Sequence, residues 1–164
     1  MYPWMVYLHV LAVFAFMLAH GVSTIVIFRL RGRPDPAQAR AWIELYVNDG
    51  VFAVLYGSLL ALLLTGVIAA FMGKWWGYGW VWLSLALLIG IIAGMWLIGT
   101  RRMNRIRRAL GMPTFDGRRQ IPAEPPAPPE EIAALLGDAP ALPLALIGYG
   151  GIAVILWLMM FKPF

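Results

Sequence analysis

The chain has no cysteine, which removes disulfides, thiolate metal sites, iron–sulfur clusters and cysteine nucleophiles together. Charge is scarce as well: charged residues make up 13% of the 164, against about a quarter in soluble domains. No charged side chain falls inside the four long apolar runs, so a carboxylate relay or an ion-coupled pathway has no residues to run on. Serine-hydrolase and P-loop patterns are absent, and no constellation of a self-contained enzyme is visible. Histidine is nearly absent too, with His9 and His20 the two in the chain.

What is present belongs in a bilayer. Hydrophobic residues make up 62% of the chain, and the mean hydropathy is +0.77. Four apolar runs, 3–28, 51–72, 76–98 and 142–161, each come close to the roughly 20 residues that a helix needs to cross hydrocarbon. The expected fold is an all-α integral membrane protein, a four-transmembrane-helix bundle forming one domain over 1–164. The segment 101–141 forms a basic, Pro-rich connection. No basic residue precedes the first run, which is too long for a signal-peptide h-region and therefore reads as a retained helix.

The arginines set an orientation. Arg29, Arg31, Arg33 and Arg40 separate the first two runs, and Arg101, Arg102, Arg105, Arg107, Arg108, Arg118 and Arg119 separate the last two. The remaining connection has only Lys74. The positive-inside rule then puts the Arg-rich loops in the cytoplasm and both termini outside. Anionic lipid at that face accounts for the net charge of +5 and the pI near 10.0, and no nucleic acid partner is implied.

Trp4, Trp75, Trp76, Tyr78, Trp80 and Trp82 gather at the other end and read as interfacial anchors, with an aromatic ligand cage as the alternative. "PAQARAWIELYVNDG" suggests an amphipathic lead-in to the second run, and Glu44 and Asp49 within it suit arginines better than a paired acid and base. Small residues at Ala53, Gly57 and Ala61, and at Ala86, Gly90 and Gly94, repeat every four positions as helix-packing seams. "RRMNRIRRAL" continues the third helix, with Arg101, Arg105 and Arg108 along one side, toward lipid phosphates. "IPAEPPAPP" is an extended spacer. "PEEIAALLGDAP" predicts one short helix, opened by Pro129 and Glu130 and stopped at Gly137, whose Ile132, Leu135 and Leu136 need a covering surface: the bundle, the membrane or a partner.

The two imidazoles pose the chemical question, because an ionisable group at membrane depth is a functional-site hypothesis by default. Eleven residues carry a helix about 20° past three full turns and about 16 Å along its axis, so His9 and His20 share a face, stacked in opposite leaflets. Tyr2, Phe16, Ser23 and Ile27 fall near the same line, which predicts that this face points into the bundle. Interhelical hydrogen bonds to Tyr56, Ser58, Thr65, Ser84 or Tyr149 would satisfy the rings. Alternatively they are axial ligands of b-type haem, whose second ligand would come from a partner chain or from Met95, Met159 or Met160. One metal ion cannot join two rings so far apart, so no metal site is expected within the chain.

"YLHVLAVFAFMLAHG", "LLALLLTGV" and "WVWLSLALLIGIIAGMW" followed by "RRMNRIRR" resemble an uncharacterised bacterial family of predicted integral membrane proteins. That family is similar in pattern to copper-resistance D proteins and to the membrane-bound protoporphyrinogen oxidase of the HemJ type. The resemblance covers about residues 7–110 and implies residence in the bacterial plasma (inner) membrane. It makes His9 the shared first-helix histidine, linked to b-type haem, and implies haem-associated redox chemistry or copper handling. The chain departs from the oxidase in lacking an intramembrane lysine in the third helix and in carrying "AFMLAHG" where an aromatic-glycine pattern is expected. Two functions are therefore carried forward. One is a non-catalytic plasma-membrane protein, stand-alone or an accessory subunit that recognises membrane-protein partners or further copies of itself. The other is a haem-binding redox or copper-handling protein using His9 and His20.

Overall fold

The computed structural model describes residues 1–48, 50–116 and 119–164. Helix α1 spans Tyr2–Arg31, with Pro3 in its first turn and Arg29 and Arg31 in its last, where cations complement the helix dipole. The chain turns over Gly32 and Arg33, and Asp35 then caps α2 (Pro36–Asn48) by accepting the backbone N–H groups of Ala37 and Gln38 at 2.9 and 3.0 Å. Gly50, at φ 79°, supplies the left-handed residue that starts α3 (Val51–Met72) on a new axis.

A 3₁₀ turn, Trp75–Gly77, leads into α4 (Gly79–Met95), which continues through a π turn, Trp96–Thr100, into α5 (Arg101–Ala109). The expected continuation of the third run is therefore present as one rod, Gly79–Ala109. Gly111, at φ 68°, ends it. Strands β1 (Thr114–Asp116) and β2 (Arg119–Ile121) then form an antiparallel hairpin, with Thr114 opposite Ile121, that the all-α reading did not contain. The Pro-rich spacer runs back along α5, where Ala127 N–H donates to Ala109 O at 2.9 Å. The short helix α6 covers Pro129–Gly137, as expected from its proline start and glycine stop. Helix α7 (Ala141–Ala145), a second π turn, Leu146–Gly150, and α8 (Gly151–Phe161) complete the last rod.

Four helical stretches, Tyr2–Arg31, Pro36–Met72, Gly79–Ala109 and Pro129–Phe161, are long and apolar enough to cross a membrane. Their outer surface is apolar: Phe14, Leu18, Leu60, Leu64, Ile89, Leu146 and Met160 are all exposed, which is how a bundle meets acyl chains rather than water. Helix α1 packs along α3, and α4 along α8. The two pairs join at the arginine-rich end, where α1 also touches α6 and α7.

That end holds the larger core. Leu30, Ile43, Ile106, Leu110, Ile132 and Leu136 come from α1, α2, α5, α6 and the residue after α5, and all are buried. The surface that α6 needed is thus the bundle itself. Asp138, just past α6, pairs with Arg102 of α5. Glu44 is exposed on α2, while Asp49 and Arg118 lie outside the described residues. Leu110 is fully enclosed, so Leu110→Ala is expected to cost about 2–5 kcal/mol. Limited proteolysis should then cut the 110–140 connection faster while the membrane-embedded rods stay protected.

The small-residue seams divide. A Cβ built on Gly57 or Gly90 would meet nothing within 4 Å, so these glycines open onto the outer surface instead of an intramolecular contact. Gly94 does pack, with Ile147 side-chain carbons 3.7 and 3.8 Å from its Cβ position. Close approaches between rods occur instead at Gly66 and Gly148, each facing a histidine.

Candidate functional site

His9 and His20 both turn inward from α1, but toward different neighbours. His9 faces α3, with Nδ1 3.0 Å from Leu62 O and 3.2 Å from Thr65 Oγ1. Leu62 O can only accept, and the Thr65 hydroxyl spends its own proton on Ala61 O at 2.6 Å. Nδ1 is therefore the donor, so that in the neutral form of the ring Nε2 presents a lone pair. Gly66 makes this possible: a Cβ there would come within 2.9 Å of His9 Cε1 and 3.2 Å of Nδ1.

Below its neighbour ring, His20 is 6% exposed and packs in an aromatic slot. Phe16 lies parallel to it, 3° between planes and 5.7 Å between centroids, and Tyr149 leans on it at 5.0 Å. Its carbonyl accepts from both Ser23 Oγ (2.8 Å) and Thr24 Oγ1 (2.9 Å). Nε2 is buried without a hydrogen-bond partner. It abuts Gly148, where the Met95 methyl also closes in. Ring stacking and van der Waals contact, rather than hydrogen bonding, hold this imidazole.

His9 lines a cavity of about 260 Å³ between the two helix pairs at the tryptophan-rich end. Phe16, Leu62, Gly66, Ser84, Ile155 and Met159 contribute to its wall. At its mouth, Trp75 Nε1 donates to Tyr2 Oη at 3.2 Å, and Lys162 Nζ stands 4.2 Å from the centre of a Trp75 ring. Trp76 and Trp80 line the same cavity, and the indole N–H of each is buried without a partner. Trp75, Trp76 and Trp80 are therefore cavity walls, not lipid-facing anchors, whereas Trp4, Tyr78 and Trp82 remain on the outside. Packing decides this: the 3₁₀ turn folds the first two indoles back over the gap between helix pairs.

The hydroxyls named as imidazole partners divide. Thr65 meets His9, and Tyr149 meets His20 through its ring. Ser58 donates to Val54 O and Ser84 to Trp80 O within their own helices, while Tyr56 is exposed. Of the methionines, Met159 shares the cavity with His9, Met95 abuts the His20 pocket and Met160 is exposed. Lys162 is not singled out by the sequence, which reads Trp76 and Trp80 as anchors with a ligand cage as the alternative. The available signal for Lys162 was a lysine directly after the last apolar run.

For a haem, the two histidines differ. An Nδ1–H held by a carbonyl with Nε2 left free is the usual arrangement of a metal-ligating imidazole, so His9 fits an axial role. His20 does not fit in this arrangement, because Gly148 and Met95 occupy the space against Nε2. No protein-family model matches the chain, and no curated protein or solved structure is significantly similar to it.

Proposed function

We propose that this is a non-catalytic, multi-pass protein of the bacterial plasma membrane that receives a lipophilic ligand in the cavity beside His9, alone or as an accessory subunit of a larger complex. The observation that carries this reading is the His9 ring, fixed by Leu62 O and Thr65 with its Nε2 free of hydrogen bonds, on the wall of a space between helix pairs. A void of about 260 Å³ is close to the lower end of small-molecule sites, roughly 300–1,000 Å³. A mostly apolar wall with few polar groups is the usual build of such a site. Nothing beside His9 supplies a nucleophile with its base, so binding is the chemistry these residues support.

In this reading the arginine-rich core lies in the cytoplasm, with Arg101, Arg105 and Arg108 at anionic headgroups, and both termini and the cavity mouth lie outside. The outward-facing Gly57 and Gly90 leave flat strips where a partner helix or a second copy could approach closely.

The test is chemical extraction of the purified protein followed by mass spectrometry. Wild type is expected to carry a discrete lipophile absent from Gly66→Val, whose side chain would drive the His9 ring from its place. Equal lipid profiles from both proteins would remove the binding reading.

A second reading, b-type haem, is favoured by the same Nδ1–H geometry together with Met159 on the His9 cavity wall. His9 would hold the iron, Met159 is the thioether within the same walls, and the group would supply one-electron chemistry. An absorption spectrum separates the readings: a Soret band supports haem, and colourless protein at full yield removes it.

A further inference from the structure

We infer that the cavity selects a long-chain carboxylate, taken up head-group outward from the tryptophan-rich end. The inference rests on the lipophile-binding reading and adds the charge of the head group. Three observations at the mouth point the same way.

First, residues that line the cavity carry hydrogen-bond donors without partners. Trp76 Nε1 and Trp80 Nε1 are both buried and unpartnered, and Trp80 is only 8% exposed. A buried donor without an acceptor is destabilising, and a ligand oxygen that reached it on a small shift of the ring would relieve this. Tyr2 Oη accepts from Trp75, so its own proton is also available. The Ser84 hydroxyl is already committed to Trp80 O.

Second, the charge here is positive and uncompensated by side chains. Lys162 holds its ammonium over Trp75 from a left-handed backbone position at φ 45°, immediately after α8. No Asp or Glu occurs anywhere in 1–34, 50–115 or 139–164, the stretches that build this end of the bundle. The C-terminus of α8, which Lys162 caps, favours a cation and helps to hold the ammonium here, while α1 and α4 present their N-termini, which favour an anion.

Third, the space behind the donors is apolar. Val6, Val13, Leu85, Leu88, Ile152 and Leu156 line it, as an alkyl chain requires. His9, with its Nε2 lone pair, is an acceptor about 10 Å deeper along α1 than Tyr2, too far to be the head-group contact. A cationic amphiphile would meet Lys162 and unpaired N–H groups, a like-charge arrangement that disfavours it. A neutral alcohol would satisfy one donor and leave the lysine unanswered.

The experiment uses the full chain in nanodiscs of zwitterionic phosphatidylcholine, titrated with radiolabelled decanoate or decanol, with empty discs as the blank. Decanoate is expected to bind saturably and about tenfold or more tighter than decanol, the scale of a charge-assisted hydrogen bond. Lys162→Gln should erase that preference by weakening decanoate alone, and Lys162→Arg should largely keep it. Equal binding of decanoate and decanol overturns the carboxylate inference while leaving the lipophile site standing. An undiminished preference in Lys162→Gln overturns it as well. Failure of both probes to saturate removes the site together with its selectivity.

Discussion

Gly148→Leu is expected to be among the most damaging single substitutions in the chain, lowering stability by about 3 kcal/mol or more, the upper part of the overpacking range. Gly148 is buried in the middle of the π turn Leu146–Gly150 and has no room for a side chain. Its Cβ would press on His20 Nε2 on one side and come within 2.8 Å of Met95 Cε on the other. The Met95 methyl ends a flexible side chain and can give way, but His20 cannot swing freely, because its ring is stacked on Phe16 and held by Tyr149. A loss of this size is a large part of the roughly 5–15 kcal/mol that holds a typical native state. Thermal aggregation in detergent should show the variant melting well below wild type. His20→Ala on the same background should recover part of the loss, giving a coupling of about 0.5–3 kcal/mol. Wild-type melting of Gly148→Leu would mean that α1 and the last rod do not meet at this glycine.

His9→Ala is expected to act in the opposite sense, with a large effect on ligand and a small one on fold. The interhelical bond from His9 Nδ1 to Leu62 O and Thr65 is worth about 1 kcal/mol, the scale of such bonds in membrane bundles. Leu62 O remains within α3 after truncation, and the removed ring merely enlarges a space that is already open. The lipophile recovered by extraction should fall because the fixed ring no longer shapes the cavity wall, and the Soret absorbance, if the bound group is haem, should fall by about tenfold or more because the ligating imidazole is gone. The melting transition should shift only slightly. If His9→Ala unfolds while keeping its ligand, the ring is a packing element and the cavity reading fails.

The contrast between these two residues was half legible in the sequence. Two histidines eleven apart on one apolar helix imply a shared inward face, and the structure puts Tyr2, Phe16 and Ser23 along the same strip beside them. Their different surroundings were not legible. A helix tilted in a bundle changes neighbours along its length, so a common face meets α3 at His9 and the π turn before α8 at His20. The small-residue repeats were half legible for a related reason. Spacing every four positions marks a strip along a helix but carries no information about which way that strip faces, and Gly57 and Gly90 face outward.

The tryptophans show the same limit. Belt composition predicts rings near an interface, yet whether a ring lies outside against lipid or folds inside over a gap depends on the local turn. Trp75–Gly77 forms a 3₁₀ turn that brings Trp75 and Trp76 to the cavity, whereas Trp82 on α4 stays exposed.

Sequence alone determined the elements: where the apolar runs lie, that α3 covers Val51–Met72, that α6 starts at Pro129 and ends at Gly137, and that the arginines collect at one end. These depend on local physics, namely run length against hydrocarbon thickness, proline and glycine at helix ends, and charge excluded from lipid. Tertiary structure alone decided that α1 pairs with α3 and α4 with α8, that the pairs leave a space beside His9, and that Lys162 and two unpaired indoles meet at its mouth. Those residues are up to 160 positions apart, as Tyr2 and Lys162 are, and only the packing of rods brings them together.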